Sequence, residues 1–224
     1  MNDLTLVIPA KYESESLPIF LEEIKNLTCK KLVVLQADDK ITINSIKKFN
    51  DVEIFCQKEL GYGAALIEGI NYTSTNYFCI INADGSMNPS DLEKMLLNIN
   101  RNKLDFIFAS RYEYPGGGSD DDDFITSVGN FLFTKIGNIF FSLKITDILF
   151  TYVMGKTKSF NDLMLTSKDF TLCVEFPIKL KRKHYQYSTI PSYERNRIGG
   201  KKKVNAFKDG LLILIKMIKM FIIR

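Results

Sequence analysis

Through its first half the chain alternates short apolar runs with longer amphipathic stretches. Leu4–Ile8, Leu32–Leu35, Val52–Phe55, Tyr77–Ile81 and Asp105–Ala109 are brief, rich in β-branched or aromatic residues and cut off by polar ones, which predicts buried strands. Helical patterning falls between them, from Ser16 and Pro18 to about Leu27, over Ile41–Phe49 and over Gly63–Tyr72. A further helix is expected beyond Asn88. Asn88 is its predicted cap, with Pro89 and Asp91 in the first turn, where a missing N–H costs nothing and a carboxylate suits the positive helix end. Strands alternating with helices imply right-handed crossovers and an α/β fold: a doubly wound, mostly parallel sheet with helices on both faces. In such sheets ligands bind beyond the carboxyl ends of the strands.

The pattern changes after Tyr112. Gly116–Ser119 followed by Asp120–Asp123 reads as a flexible acidic loop, solvated unless an ion or a basic partner meets it. A long helix is predicted over about Ile125–Leu143, then Asp147, a segment Ser159–Leu165, a helix near Phe170–Lys183 and a strand Tyr185–Ile190 closed by Pro191. The tail Leu211–Ile223 is apolar apart from Lys216 and Lys219. As a helix it rises roughly 20 Å, short of the ~30 Å hydrocarbon core of a bilayer. An amphipathic helix lying in a membrane interface with snorkelling lysines is therefore expected over 205–224, after a main domain over 1–204. The alternative is packing on the protein's own core or on a second subunit, which leaves a homo-oligomer open.

Composition narrows the classes. With 224 residues, 46% hydrophobic and 25% charged, the chain is sized for one large domain with a buried core. Its net charge of +4 is too small to argue for nucleic acid. Basic residues crowd the last quarter instead, at Lys179–Lys183, Arg195, Arg197 and Lys201–Lys203, as suits phosphate or an anionic membrane surface. Cys29, Cys56, Cys79 and Cys173 form no Cys-x-x-Cys pair, so neither a zinc knuckle nor a disulfide framework is indicated and a reducing compartment fits. Met1-Asn2-Asp3 leads directly into a strand without a basic region, unlike a signal peptide. The expected location is cytoplasmic, peripheral at the inner face of the cell membrane. His184 is the only histidine, which excludes multi-histidine metal sites.

Unusual polar residues gather at the predicted strand ends: Lys11, Tyr12 and Glu13; Asp38 and Asp39; Gly61–Gly63; Asn82–Ser86; Ser110–Tyr112. Asn82 and Asp84 flank one residue of extended chain and so point the same way, offering two hard oxygen donors to a divalent cation. Gly61-Tyr62-Gly63 is no dinucleotide fingerprint, because Leu66 stands where a third small residue is needed, and no P-loop motif exists. An acidic rim facing a basic C-terminal segment suits a substrate with a pyrophosphate, whose leaving phosphate gains charge.

Val7-Ile8-Pro9-Ala10-Lys11-Tyr12-Glu13, Gly61-Tyr62-Gly63-Ala64-Ala65, Asn82-Ala83-Asp84-Gly85-Ser86 and Ala109-Ser110-Arg111-Tyr112, in this order, resemble the family 2 glycosyltransferases of GT-A fold. The likeness is greatest to the dolichyl- and polyprenyl-phosphate sugar transferase branch and covers roughly residues 4 to 210. It implies a nucleotide-sugar donor, UDP- or GDP-linked, Mg or Mn, and transfer with inversion to a hydroxyl or lipid-phosphate acceptor, on a sugar or lipid-linked molecule, in cell-surface glycan or polysaccharide synthesis. By position, Pro9, Tyr12 and Glu13 would border the nucleotide, Asp38 or Asp39 would meet the base or ribose, and Gly61, Gly63 and Ala83 would line the donor. Asn82 and Asp84 would occupy the Asp-x-Asp motif, with Ser86 a further metal ligand. Arg111 would lie near a phosphate, and Glu175, Arg195, Arg197 and Lys201 would belong to the acceptor and pyrophosphate segment. Two departures stand out: Asn82 replaces a charged ligand, and Asp123 stands where carrier-phosphate transferases have an arginine. The second favours a sugar hydroxyl as acceptor. A hydroxyl needs a general base, for which Asp147 is the first candidate and Glu175 the second. The competing reading is a non-catalytic nucleotide-sugar-binding or scaffold protein.

Overall fold

The computed structural model describes residues 1–200 and 203–223. Seven strands form the main sheet in the order β3-β2-β1-β4-β7-β5-β8. They are β1 (Leu4–Pro9), β2 (Lys30–Leu35), β3 (Val52–Cys56), β4 (Tyr77–Ile80), β5 (Phe106–Ser110), β7 (Val153–Lys156) and β8 (Tyr187–Pro191). All neighbours pair in parallel except β7, which runs antiparallel between β4 and β5. A short parallel pair, β6 (Gly118–Ser119) with β9 (Tyr193–Glu194), stands beside it.

The strands are apolar throughout because both sheet faces are covered. In β1, Leu4, Leu6 and Ile8 face one core layer with Phe20, Leu21, Met95 and Ile99 from α1 (Ser16–Glu23) and α4 (Asp91–Asn102). Val7 turns to the other layer, with Leu66 and Ile70 of α3 (Tyr62–Tyr72), Phe160 of α6 (Thr157–Asp162) and Phe176 of α7 (Leu172–Arg182). The helix α2 (Lys40–Ile46) joins β2 to β3. A third cluster joins α7, the residues after α5 (Phe124–Phe141) and α8 (Ala206–Ile222), where Ile213, Met217 and Met220 are buried against Leu143, Ile148, Val174 and Ile178. Burying side chains of this size contributes roughly 1.5–3 kcal/mol each, so α8 is fastened along one face.

Two local expectations change. The helix after β4 begins at Asp91 and not beside Asn88, because the Asn88 side chain accepts from Ser90 N at 3.1 Å and closes a turn before the helix. Asp91 still occupies the first turn, buried, and accepts from Ser192 Oγ at 2.8 Å. The strand β7 was not expected at all. It is four residues long and contains Gly155, where a Cβ would stand 2.3 Å from the Phe106 ring, so close packing against β5 requires a residue of low strand propensity.

Candidate functional site

The carboxyl ends of β1, β2 and β4 open on one side of the sheet, and the turn after β4 is the centre of what they carry. There Asp84 Oδ1 accepts from Ser86 N at 3.1 Å and from Ser86 Oγ at 2.9 Å, so the serine orients the carboxylate. Ala83 is buried and contributes its methyl group to the core. The Asn82 amide oxygen accepts from Tyr62 OH at 3.3 Å, and the same hydroxyl lies 2.6 Å from Thr151 Oγ1. Burial, outweighing its bond to Thr151 and joined by the charge of Asp84, pushes the Tyr62 phenol well above its ordinary value, so it is a neutral donor there.

The segment after β9 crosses this turn. Arg195 N donates to Ser86 O and Ile198 N to Asp84 O, both at 2.8 Å. Gly85, at φ +73°, allows the crossing: a Cβ there would stand 2.4 Å from Ile198 Cδ1. The crossing brings Arg197 Nη1 to 3.6 Å from Asp84 Oδ2, while its Nη2 donates to Asp121 at 2.7 Å. The hydrogen bond to Asp121, with the charges of Asp84, Asp121 and Glu13, outweighs partial burial and holds this guanidinium above its ordinary value. Arg195 binds Glu23 and the Gly85 carbonyl. Lys203 Nζ lies 3.3 Å from Glu13 Oε1, and Glu13 Oε2 accepts from Ser16 Oγ at 2.7 Å. Lys201, expected in this group, lies outside the described residues.

The loop after β1 adds Pro9 at the strand end and Tyr12, which is 63% exposed at a backbone φ of 54°. Asp38 is exposed. Asp39 is not available to a ligand as expected: it is buried, caps α2 by accepting from Thr42 N and receives Tyr12 N at 2.7 Å, tying the first two loops together. Gly61 and Gly63 are also corrected. A Cβ on either would collide with the Lys168 or Ser167 carbonyl, at 2.1 and 2.3 Å, so these glycines admit the 167–169 backbone, not a ligand. Tyr62 between them stacks on Phe170 at 5.0 Å.

Both expected bases are corrected as well. The Asp147 side chain is wholly buried and accepts from Arg111 N, Nε and Nη2 and from Asn130 Nδ2, at 2.8–3.1 Å. Its lone pairs are taken by donors of the fold. Arg111 is correspondingly no free phosphate ligand: Nη1 also binds Glu194 at 3.1 Å and lies 3.6 Å from Asp122, and the guanidinium sits 4.7 Å from the Phe150 ring centre. Burial opposes its charge, but Asp147, Glu194 and Asp122 more than reverse that and raise it further. Glu175 is buried too, accepting from Thr166 N and Oγ1 and Ser167 N, with Lys179 at 2.8 Å and Lys216 at 3.4 Å. Burial alone would raise this carboxyl, yet Lys179, Ser167 and Lys216 bring it down to about 2. It clamps the loop before α7 and cannot take up a proton near neutrality.

The acidic loop finds its basic partners within the chain. Asp121 meets Arg197, Asp122 meets Arg111 and accepts from Tyr112 OH, Asp120 accepts from Tyr193 OH, and Asp123 caps α5. Ser119 Oγ donates to Glu194 at 2.6 Å and accepts from Asp122 N at 2.9 Å, which shapes the loop. Glu194 was missed from the sequence; burial, against the pull of Arg111 and Ser119, raises its carboxyl. Its only signal is its position directly before Arg195. Tyr62, Asp121 and Lys203 were also missed as members of the site.

The profile of Glycosyl transferase family 2 matches residues 5–164. An uncharacterized glycosyltransferase of Mycobacterium tuberculosis is 31% identical over 100 residues, 44% of this chain and 44% of the relative. The matched stretch thus spans less than half of that relative's length. Among solved structures, glucosyl-3-phosphoglycerate synthase from Mycobacterium tuberculosis, in complex with Mn2+, UDP and phosphoglyceric acid, superposes with a TM-score of 0.71 at 12% identity, over 97% of this chain and 78% of that one. Mannosyl-3-phosphoglycerate synthase from Rubrobacter xylanophilus gives 0.68 at 15% identity, over 96% and 72%. The fold is thus the GT-A-like α/β fold. With a family profile matched from β1 to beyond α6, the chain belongs to glycosyl transferase family 2.

Proposed function

We propose that this protein transfers a sugar from a nucleotide-sugar donor to an acceptor that carries its own anionic oxygen, a phosphate. One observation carries the donor half: the 195–203 segment lies across the Asp84 turn and sets Arg197 and Lys203 against Asp84 and Glu13. A diphosphate entering there meets cations already held in place, and these stabilise the charge that grows on the leaving phosphate. The glycosyltransferase family and the UDP held with Mn2+ in a related structure support the same reading.

The donor set fits a divalent cation held mainly by its ligand. Among the described residues no three His, Cys, Asp or Glu side chains gather into a metal cage. Asp84 offers one hard oxygen, oriented by Ser86, and Mg or Mn accepts such a carboxylate while taking its other ligands from phosphate and water. Asp84 would hold the ion, which when bound would neutralise diphosphate charge. Arg197, bonded to Asp121 with its Nη1 3.6 Å from Asp84, would share the diphosphate charge with the ion.

The saturation of Asp147 and Glu175 supports the acceptor half. A hydroxyl acceptor needs a base, and both carboxylates singled out for that role are committed to the fold. A phosphate oxygen attacks without one. Asp123, whose charge argued against phosphate, accepts from Thr126 N at the start of α5, where the helix end offsets it. A thermal-shift screen of nucleoside diphosphates and nucleotide sugars with and without Mn, followed by transfer assays on phosphate and hydroxyl acceptors, tests this. Stabilisation by a nucleotide sugar and transfer to the phosphate acceptor are expected. No stabilisation by any donor, or transfer to hydroxyls alone, contradicts it.

A further inference from the structure

The helix α5 is turned inside out. Its polar residues Asn130, Thr134 and Asn138 recur every fourth position, on one face, and bind the 145–149 loop and Asp147. Gly137 lies on the same face against Leu143 and Ile148. The opposite face holds Phe124, Ile125, Val128, Phe131, Leu132 and Ile139, which are 41–83% exposed. A helix of a soluble domain normally buries the apolar face.

The neighbouring α8 extends that surface. Its inner face is buried, and its outer face presents Phe207, Leu211, Leu214, Ile215, Ile218 and Ile222, 36–81% exposed. Gly210 lies beside Phe133, and Phe221 beside Phe140 and Phe141, so the two helices run side by side in the same direction. Together they form one apolar surface too large to be the ordinary scatter of exposed residues.

We propose that α5 and α8 together dock, lying flat, on a membrane leaflet containing anionic lipids. Three features select this occupant. Among the described residues of the two helices the charged groups are Lys135, Lys208, Lys216, Lys219 and Asp209, and Asp209 accepts from Asn205 N at the start of α8. Lys216 is turned inward to Glu175. That leaves Lys135, Lys208 and Lys219 around the apolar surface, which complements anionic headgroups and would repel the same surface of a second copy. Lys135 stands within the α5 face with its ammonium 5.4 Å from the Phe131 ring centre, and its long stem lets the charge reach headgroups. Finally, α5 is long and apolar enough to cross a bilayer by composition, but the Asn130–Asp147 and Thr134–Ile148 bonds fasten its polar face to the sheet domain, so it lies in the interface.

Flotation of the full chain with vesicles of phosphatidylcholine alone, or mixed with phosphatidylglycerol, tests the surface independently of any transferase activity. The wild type should float with the mixed vesicles and be released by alkaline carbonate. The L132E/I139E double variant on α5 and the I218E variant on α8 should each lower the bound fraction about tenfold, as loss of buried apolar area demands. K135E/K219E should weaken binding to mixed vesicles and leave the phosphatidylcholine result unchanged. All these residues are exposed, and thermal melts by circular dichroism would show that the variants remain folded. Undiminished flotation of L132E/I139E overturns the role of α5. Retention in the membrane after carbonate overturns the flat docking. A wild type that ignores both vesicles and sediments as a dimer, which L132E/I139E converts to monomer, assigns the surface to a second copy instead.

Discussion

Two arginine–carboxylate groups stand at the carboxyl ends of this sheet, and they differ in how fully they are closed. Around Arg111, three acids and Asn130 surround one guanidinium whose side chain is 7% exposed, and Asp147 receives four donors. Around Arg197, the side chain is 22% exposed and Asp84 is 3.6 Å away, beyond hydrogen-bond distance. The first group is saturated by the fold and holds β5, α5 and the residues before β7 together. In the second, Asp121 holds Arg197 through Nε and Nη2 and leaves Nη1 beside Asp84. Acid beside arginine therefore marks a scaffold in one place and a ligand site in the other, and the count of satisfied lone pairs separates them.

The comparison breaks most visibly at Asp147. Asp147→Asn should lower unfolding stability by about 3–5 kcal/mol, since Arg111 would remain buried with its main partner neutralised. Urea titration followed by circular dichroism checks this, and donor affinity of the folded fraction should be unchanged. A variant with wild-type stability and no transfer would restore Asp147 as a catalytic base. Next in size is Gly61→Ala, at roughly 1–3 kcal/mol, because its Cβ would enter the Lys168 carbonyl and its φ of +119° disfavours any side chain. The same urea titration reads this loss.

Glu175 gives a pH signature. Its carboxyl is depressed to about 2 from an ordinary 4.5, so its contribution is fully present above the unfolded value and is lost as pH falls through that window. Urea midpoints of wild type and Glu175→Gln should differ at neutral pH and converge as pH approaches about 2. A gap that stays constant would mean that the charge on Glu175 does not stabilise the fold. The smallest effect belongs to the open group: Asn82→Asp should keep the fold and tighten Mn-dependent nucleotide binding modestly, by adding a second charged oxygen beside Asp84. Weaker binding by calorimetry would show that the Tyr62–Asn82 bond matters more than local charge.

Most of the sheet was legible because its strands are buried on both faces and read as unbroken apolar runs, as in Leu4–Ile8. The exception, β7, is short and glycine-bearing, and its place between β4 and β5 depends on a contact with Phe106 far away in the chain. At the site, Asp84, Ser86, Arg197 and Glu13 were visible as polar residues at predicted strand ends and in the basic segment. The partnerships were not. Arg111 and Asp147 are 36 positions apart, and no local pattern tells a saturated carboxylate from a free one. The same limit applies to α5: the helix was legible over about Ile125–Leu143, but which face Asn130 and Thr134 would fasten depends on the 145–149 loop.

The most direct measurement is calorimetric titration of UDP and GDP, with and without Mn, into the wild type and Asp84→Ala. If the open group is the donor site, the wild type binds one of the two diphosphates more tightly with Mn. Asp84→Ala should then lose that Mn dependence by at least about tenfold while keeping its melting temperature, because a partly exposed strand-end carboxylate contributes little to the core. Unchanged Mn-dependent binding in Asp84→Ala would contradict the assignment and leave the turn as no more than the approach to α4.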